Sequence, residues 1–141
     1  MLKIDLYKNT IRDSRTFGKV YGRITPGEMF SLEKLAKHMS EHNTPYSKGV
    51  IKGIMTDMVS CIKELLLDGN SVKIDDLAIF KAKVNTTPAD TYDKFDCGSN
   101  VKSVSLAILA TGSSTRANMT KDATVGLSKY SQSLREEQPE P

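Results

Sequence analysis

The sequence has no tryptophan, and phenylalanine and tyrosine together make up only 6% of its 141 residues. Any hydrophobic core must therefore depend on leucine, isoleucine, valine and methionine. The two cysteines, Cys61 and Cys97, are too few for a disulfide framework, which favours a reducing, cytoplasmic compartment. No apolar run approaches the roughly 18 residues that a membrane-spanning helix needs. The first residues alternate in polarity instead of forming the apolar block of a signal peptide, so neither a membrane nor an export role is expected.

The net charge of +3 is small, and its distribution along the chain is more informative than its sum. Basic residues outnumber acidic ones by six to three in residues 1–30 and by four to one in residues 101–130. Acidic residues outnumber basic ones by three to one in residues 85–100 and again in residues 131–141. The basic segments are consistent with a polyanionic partner, although a solvated surface with scattered lysines would give the same pattern.

The N-terminal region predicts a β-hairpin. Leu2, Ile4 and Leu6 alternate with polar residues, which is the period of a half-buried strand. Residues 19–24 predict a partner strand, and the Thr-Pro-Gly sequence at 25–27 ends it with turn residues.

Two helices are predicted next. Ser31 is a suitable N-cap, and apolar residues follow it at helical spacing at Leu32, Leu35, Ala36 and Met39. The pair Thr44 and Pro45 predicts the start of the second helix, with the threonine as N-cap and the proline at the first helical position.

The second helix carries a wide apolar stripe from Val50 to Leu66, and Gly69 suits the left-handed C-cap position after it. The stripe runs for five turns, whereas the first helix is too short to cover it. Either a sheet or a second chain must pack against the remainder. This mismatch predicts a dimer.

Alternating residues after the helices predict three further strands, at 72–74, 79–84 and 104–110, with Asp75 and Asp76 in a turn. Lys81 and Lys83 are expected to face outward and their apolar neighbours inward. Residues 85–100 predict a loop or flexible arm, and residues 111–120 a mobile segment. The fold class is therefore α+β, with one domain at 1–130 and a disordered acidic tail at 131–141.

No set of residues has the spacing of a catalytic or metal-binding site. His38 and His42 share a helix face but lack a third ligand, so they are interpreted as surface histidines. Cys61 lies at the edge of the apolar stripe, so its thiol is expected to be buried and inert. We therefore expect no enzymatic activity, no cofactor, no metal and no small-molecule substrate.

The stretch from Ser31 to Val84 resembles the core of the bacterial histone-like HU/IHF proteins, above all in its last part, LLLDGNSVKIDDLAIFKAKV. That part combines a helix ending at glycine, a Val-x-Ile strand, a tight turn and a strand containing phenylalanine. The N-terminal strand pair resembles the longer HU-like variants. The resemblance implies an intertwined homodimer with antiparallel sheets and a β-ribbon arm on each subunit. Such proteins bend and condense double-stranded DNA in the cytoplasm, at the bacterial nucleoid.

Two functions follow from this resemblance. The first is sequence-independent binding of double-stranded DNA by a homodimer, with phosphate contacts from Lys81, Lys83, Lys102, Arg116 and Lys121. The second is an HU-fold homodimer that has lost DNA binding and serves as a structural or protein-interaction module. The second function stays open because the arm equivalent, residues 85–100, has Lys94 as its only basic residue and would be repelled by phosphate.

Overall fold

The computed structural model describes residues 1–137. In chain order its strands are β1 (Leu2–Lys8), β2 (Val20–Ile24), β3 (Val72–Ile74), β4 (Ala78–Thr86), β5 (Val101–Ala110) and β6 (Val125–Leu127). Its α-helices are α1 (Leu32–Ser40), α2 (Lys48–Leu67), α3 (Cys97–Asn100), α4 (Arg116–Asp122) and α5 (Lys129–Glu136). This mixture confirms the α+β class that the sequence predicts.

The chain forms two compact units. The first combines Met1–Met29 with the C-terminal segment that begins at Thr120, and the second is Phe30–Met119. The first unit holds the sheet β2-β1-β6, and the second unit holds the sheet β3-β4-β5. The single HU-like DNA-binding domain expected at residues 1–130 stays a prediction. Its residues are distributed over both units.

Serine side chains cap the N-termini of α1 and α2. The Ser31 hydroxyl accepts a hydrogen bond from the amide of Lys34, and the Ser47 hydroxyl accepts one from the amide of Val50. The expectation that Thr44 caps α2 is wrong. The Thr44 hydroxyl accepts instead from the amide of Tyr46 at 3.3 Å, in a local turn that keeps Pro45 outside the helix.

An ion-pair cluster joins α1 to α2 on their exposed sides. Glu33 contacts the ammonium groups of both Lys48 and Lys52. The hydrogen bond from Lys48, followed by that from Lys52, lowers the pKa of Glu33 to about 2. The cluster fixes the start of α2 beside the first turn of α1.

The antiparallel sheet of the second unit is a hairpin of β3 and β4 to which β5 is added. Asp76 occupies the turn with a φ of 60°, and Gly69 ends α2 with a φ of 83°, as the sequence predicts. Helix α2 packs against α1 and against β3 and β4. Within residues 1–137 the buried apolar residues are few: Ala36, Ile51, Leu66 and Ala78.

Strands β4 and β5 continue beyond β3 as a two-stranded ribbon. The ribbon runs from the pair Lys81 and Ala107 to the pair Thr86 and Val101. Residues 87–100 form its tip loop, in which the Thr87 amide donates to the Asn100 carbonyl at 2.8 Å and the Asn100 amide group donates to the Thr87 carbonyl at 3.2 Å. Most of residues 85–100 is therefore a closed loop, one of the two alternatives expected for this segment, and the two-stranded ribbon is formed by the strands that flank it.

Residues 111–120, expected to be mobile, fold onto the turn between β3 and β4. The Ser114 hydroxyl donates to the Asp76 carbonyl at 2.7 Å. Gly112 adopts a φ of 55°, and a Cβ at that position would lie 2.2 Å from an Asp76 carboxylate oxygen. Only glycine permits this approach, and the Asn118 side chain then donates to the Gly112 carbonyl to hold α4.

The C-terminal segment of the first unit also differs from the expected tail. Strand β6 pairs in parallel with β1, and Ser128 caps α5 by accepting from the amide of Ser131. The fully buried Ser131 hydroxyl accepts from the amide of Leu6 at 2.7 Å. The disordered tail predicted at 131–141 is therefore wrong for residues up to Glu136, and its last four residues lie outside the described part of the chain.

Candidate nucleic-acid interface

The sheet of the second unit has two different faces, and the strand register shows which residues share each one. We call one the lysine face; its strand residues are Lys73, Ile79, Lys81, Lys83, Asn85, Ser103, Ser105, Ala107 and Leu109. The other, the apolar face, carries Val72, Ile74, Ala78, Phe80, Ala82, Val84, Val104, Leu106, Ile108 and Ala110. The strand residues of the lysine face include three cations and no carboxylate.

Lys81 and Lys83 lie on the ribbon, where the alternation of the strand places them on one face, about 7 Å apart along β4. The residues opposite them on β5 are the small Ala107 and Ser105. Both lysines are exposed, and within residues 1–137 neither forms an ion pair. Their ammonium groups are therefore available to an anion from outside the chain.

Lys73 is a third cation of this face, and it is not among the contact residues predicted from the sequence. It pairs with Ile79 in the sheet, and its ammonium lies 3.2 Å from an Asp75 carboxylate oxygen. Both partners of this ion pair are largely exposed, so the pair is weak and open to competition by phosphate. The hairpin register identifies Lys73, because every second residue across β3 and β4 shares a face.

The remaining predicted contact residues do not share the lysine face. Lys102 lies at the tip end of β5, beside the irregular pairing at Asn85 and Thr86, and its ammonium donates to the Ser99 carbonyl at 2.7 Å. Arg116 begins α4 in the second unit, whereas Lys121 belongs to the segment assigned to the first unit.

A comparison with known protein families matches residues 1–124 to the model of HU-HIG, an HU domain fused to a winged helix-turn-helix, immunoglobulin-like or glycine-rich motif. The match covers most of the chain. The chain belongs to the HU-HIG family. This confirms the HU-like resemblance of residues 31–84, while the expected longer variant with an N-terminal strand pair stays a prediction.

The fold is similar to that of a solved structure. It is a crystal structure from Bacteroides vulgatus ATCC 8482 of a protein described as a candidate bacterial DNA-binding protein. The two chains are 19% identical, with a TM-score of 0.64, and the match covers 89% of this chain and 47% of that one. The HU-HIG chain thus spans about half the length of that protein. The comparison with curated proteins found no match.

The tip loop of this HU-HIG chain is acidic. It holds Asp90, Asp93 and Asp96, and its one basic residue, Lys94, lies 3.6 Å from Asp90. Hydrogen bonds from the Ser99 hydroxyl and then from the Ser99 amide lower the pKa of Asp96. The loop therefore remains anionic at neutral pH, next to the cationic ribbon.

Large apolar side chains are exposed on the apolar face and on α2. Val84 is 57% exposed and Ile108 61%, while on α2 Ile54 is 61% exposed. Cys61, expected to be buried, is exposed as well, because no element within residues 1–137 covers that part of α2. Contiguous apolar patches of this kind mark surfaces that bind another molecule.

Metal binding and membrane insertion have no structural support in the described residues. His38 and His42 contact each other through their Nε2 atoms at 3.1 Å, and no group of three His, Cys, Asp or Glu side chains surrounds a common point in residues 1–137. Over the same residues, no helix is long and apolar enough to cross a bilayer.

Proposed function

We propose that this HU-HIG protein is a non-enzymatic, sequence-independent DNA-binding protein that acts as a homodimer on double-stranded DNA. The observation that carries the proposal is the lysine face, in which Lys81 and Lys83 stand unpaired on a two-stranded ribbon. The family assignment supports the same function, and so does the description of the Bacteroides vulgatus protein. Action at the nucleoid, in the cytoplasm, is part of this proposal.

Contacts to the DNA backbone explain the expected lack of sequence preference. The strand residues around the two ribbon lysines are mostly small or apolar, such as Ser105 and Ala107. Lysine ammonium groups bind phosphate as point charges and carry no base-reading pattern, which in the major groove depends on bidentate side chains such as arginine or asparagine. We assign phosphate contacts to Lys81 and Lys83, with Lys73 beside them and with Lys102, Arg116 and Lys121 as further candidates.

The homodimer is proposed from the exposed apolar surfaces. A single chain leaves Ile54 and Val59 of α2 exposed, together with Leu106 on the apolar face of the ribbon. A second copy offers the same apolar surfaces, so a symmetric, intertwined arrangement would cover both sets at once. Full burial of an exposed apolar side chain contributes about 1.5–3 kcal/mol, so covering these partly exposed side chains would favour association.

The acidic tip loop distinguishes the proposed contact from DNA wrapping by a basic arm. Phosphates would repel the loop, so the ribbon and not its tip makes the proposed contact. The loop is also the observation that favours the alternative, an HU-fold homodimer without DNA binding that serves as an interaction module.

The test is to titrate labelled duplex with the protein at about 50 mM and at about 200 mM salt. Binding is measured by fluorescence anisotropy. Binding should be insensitive to sequence and should weaken steeply with salt, because each neutralised phosphate releases counterions. The double variant Lys81→Ala, Lys83→Ala should bind more weakly to every duplex and reduce the salt slope by about one for each lost contact.

The double variant Lys37→Ala, Lys63→Ala is the matched control, since it removes the same charge from exposed positions on α1 and α2. It should retain most of the affinity. Equal losses in the two double variants would mean that net charge, and not the lysine face, determines binding, and the proposed interface would be wrong.

A further inference from the structure

The sheet of the first unit carries an aromatic pair on one face. Tyr7 of β1 lies directly opposite Tyr21 of β2, and the ring centroids are 6.1 Å apart with planes inclined by 31°. The residues are 43% and 41% exposed. Cross-strand packing of the rings stabilises the hairpin, but it leaves ring surface in contact with solvent.

Two cations share this face with the tyrosines. The Arg23 guanidinium lies over the Tyr7 ring, 5.5 Å from its centroid, in a cation–π contact. Lys3 occupies the same face through the alternation of β1. Asp5, opposite Arg23, is the one carboxylate among these strand residues, and its oxygen already accepts a hydrogen bond from the Thr25 hydroxyl at 2.9 Å.

We propose that this aromatic–cationic face binds single-stranded nucleic acid, with unpaired bases stacked on Tyr7 and Tyr21 and with phosphates contacted by Arg23 and Lys3. Every base has an apolar π-face, so tyrosine rings can bind unpaired nucleotides without reading sequence. Arginine adds a planar cation that both stacks on bases and pairs with phosphate.

Charge complementarity favours a polyanion over a protein partner. The first 30 residues hold six basic and three acidic side chains, and the Arg23 guanidinium lies over the Tyr7 ring. In a duplex the bases are paired and stacked, so their faces are inaccessible to tyrosine. The site is therefore specific for single strands, and it uses no residue of the lysine face.

The test is anisotropy with the full-length protein and a labelled oligothymidylate of about 20 nucleotides, at about 50 mM salt. The double variant Tyr7→Leu, Tyr21→Leu should bind this strand at least about tenfold more weakly, because both rings on which bases stack are lost. Tyr7→Phe with Tyr21→Phe, which keeps both rings, should bind within about threefold of the unmodified protein. An abasic oligonucleotide of the same length should bind as weakly as the leucine variant.

Duplex titrations separate this site from the proposed duplex interface. The leucine variant should keep its duplex affinity, and Lys81→Ala with Lys83→Ala should keep its single-strand affinity, so either function can fail alone. Arg23→Gln should weaken single-strand binding severalfold without removing a ring. This variant tests the site even if the leucine variant is destabilised and melts at a lower temperature. The proposal is overturned if the oligothymidylate does not bind at tens of micromolar protein, if the abasic strand binds equally well, or if Arg23→Gln and the leucine variant both bind normally.

Discussion

At the scale of single residues, Ser131 shows how one hydroxyl attaches α5 to β1. Its side chain is fully buried, and its Oγ accepts from the Leu6 amide of β1, beyond the stretch of that strand that pairs with β6. Ser131→Ala would leave that amide without its partner and should lower the free energy of unfolding by about 1–3 kcal/mol. Urea unfolding measures this loss. Ser133→Ala is the control, because its exposed hydroxyl donates only to the Tyr130 carbonyl; equal stability of both variants would contradict the role of Ser131.

Glu33 supplies a pH-dependent contribution at the same scale. Its pKa is about 2 in the folded chain, below its usual value of 4.5, because Lys48 and Lys52 bind its carboxylate. Stability from this group is therefore present above pH 4.5 and disappears as the pH falls towards 2. Exposed ion pairs contribute little, so the effect should be a small shift in melting temperature.

The melting temperatures of the unmodified protein and of Glu33→Gln should differ at pH 7 and converge between about pH 4.5 and about pH 2. Glu64→Gln, on the exposed surface of α2, is the control. It should melt at nearly the same temperature as the unmodified protein at pH 7. A Glu33→Gln difference that stays constant down to pH 2 would disprove the electrostatic origin of the contribution.

At the scale of elements, the sequence predicts those parts whose signal is local. The apolar spacing after Ser31 and the alternation around Lys81 predict α1 and β4 correctly, since one face of each element is apolar. The span of α2 from Ser47 to Leu67 is predicted, but its N-cap is misassigned. Thr44 and Pro45 offer a stronger local N-cap pattern than Ser47, and only the turn at Tyr46 decides between them.

The C-terminal elements have no comparable local signal. Strand β6 has three residues, and α5 depends on the contact between Ser131 and Leu6, which are far apart in sequence. In the candidate site, alternation indicates Lys81 and Lys83, but Lys73 requires the register of the hairpin. The aromatic–cationic face is missed for the same reason, because Tyr7 and Arg23 meet only across strands.

The acidic tip loop should weaken the binding of duplex DNA. The double variant Asp93→Asn, Asp96→Asn removes two negative charges from the end of the ribbon. Asparagine also caps helices well, so the cap that Asp96 provides for α3 should survive. Duplex affinity at low salt should rise severalfold, because repulsion of the backbone is reduced. Anisotropy measures it, and unchanged affinity would place the loop away from bound DNA.

At the scale of the whole molecule, dimerisation can be tested at α2. Ile54 is 61% exposed in one chain, so Ile54→Asp costs little in a monomer but would bury an unpaired charge in the proposed dimer. Sedimentation equilibrium at micromolar concentration should give about twice the 15.6 kDa chain mass for the unmodified protein. Ile54→Asp should be monomeric or unfolded, whereas Thr56→Asp, on another side of α2, should remain dimeric.

Two chains that bind double-stranded DNA together through backbone contacts should change its sedimentation. Sedimentation velocity of a labelled duplex of about 30 base pairs, with increasing protein at about 50 mM salt, measures this change. We expect a faster-sedimenting complex with two chains for each occupied site, and we expect it to dissociate at about 200 mM salt. If the duplex sediments at its free rate with tens of micromolar protein, the chain does not bind DNA in this way.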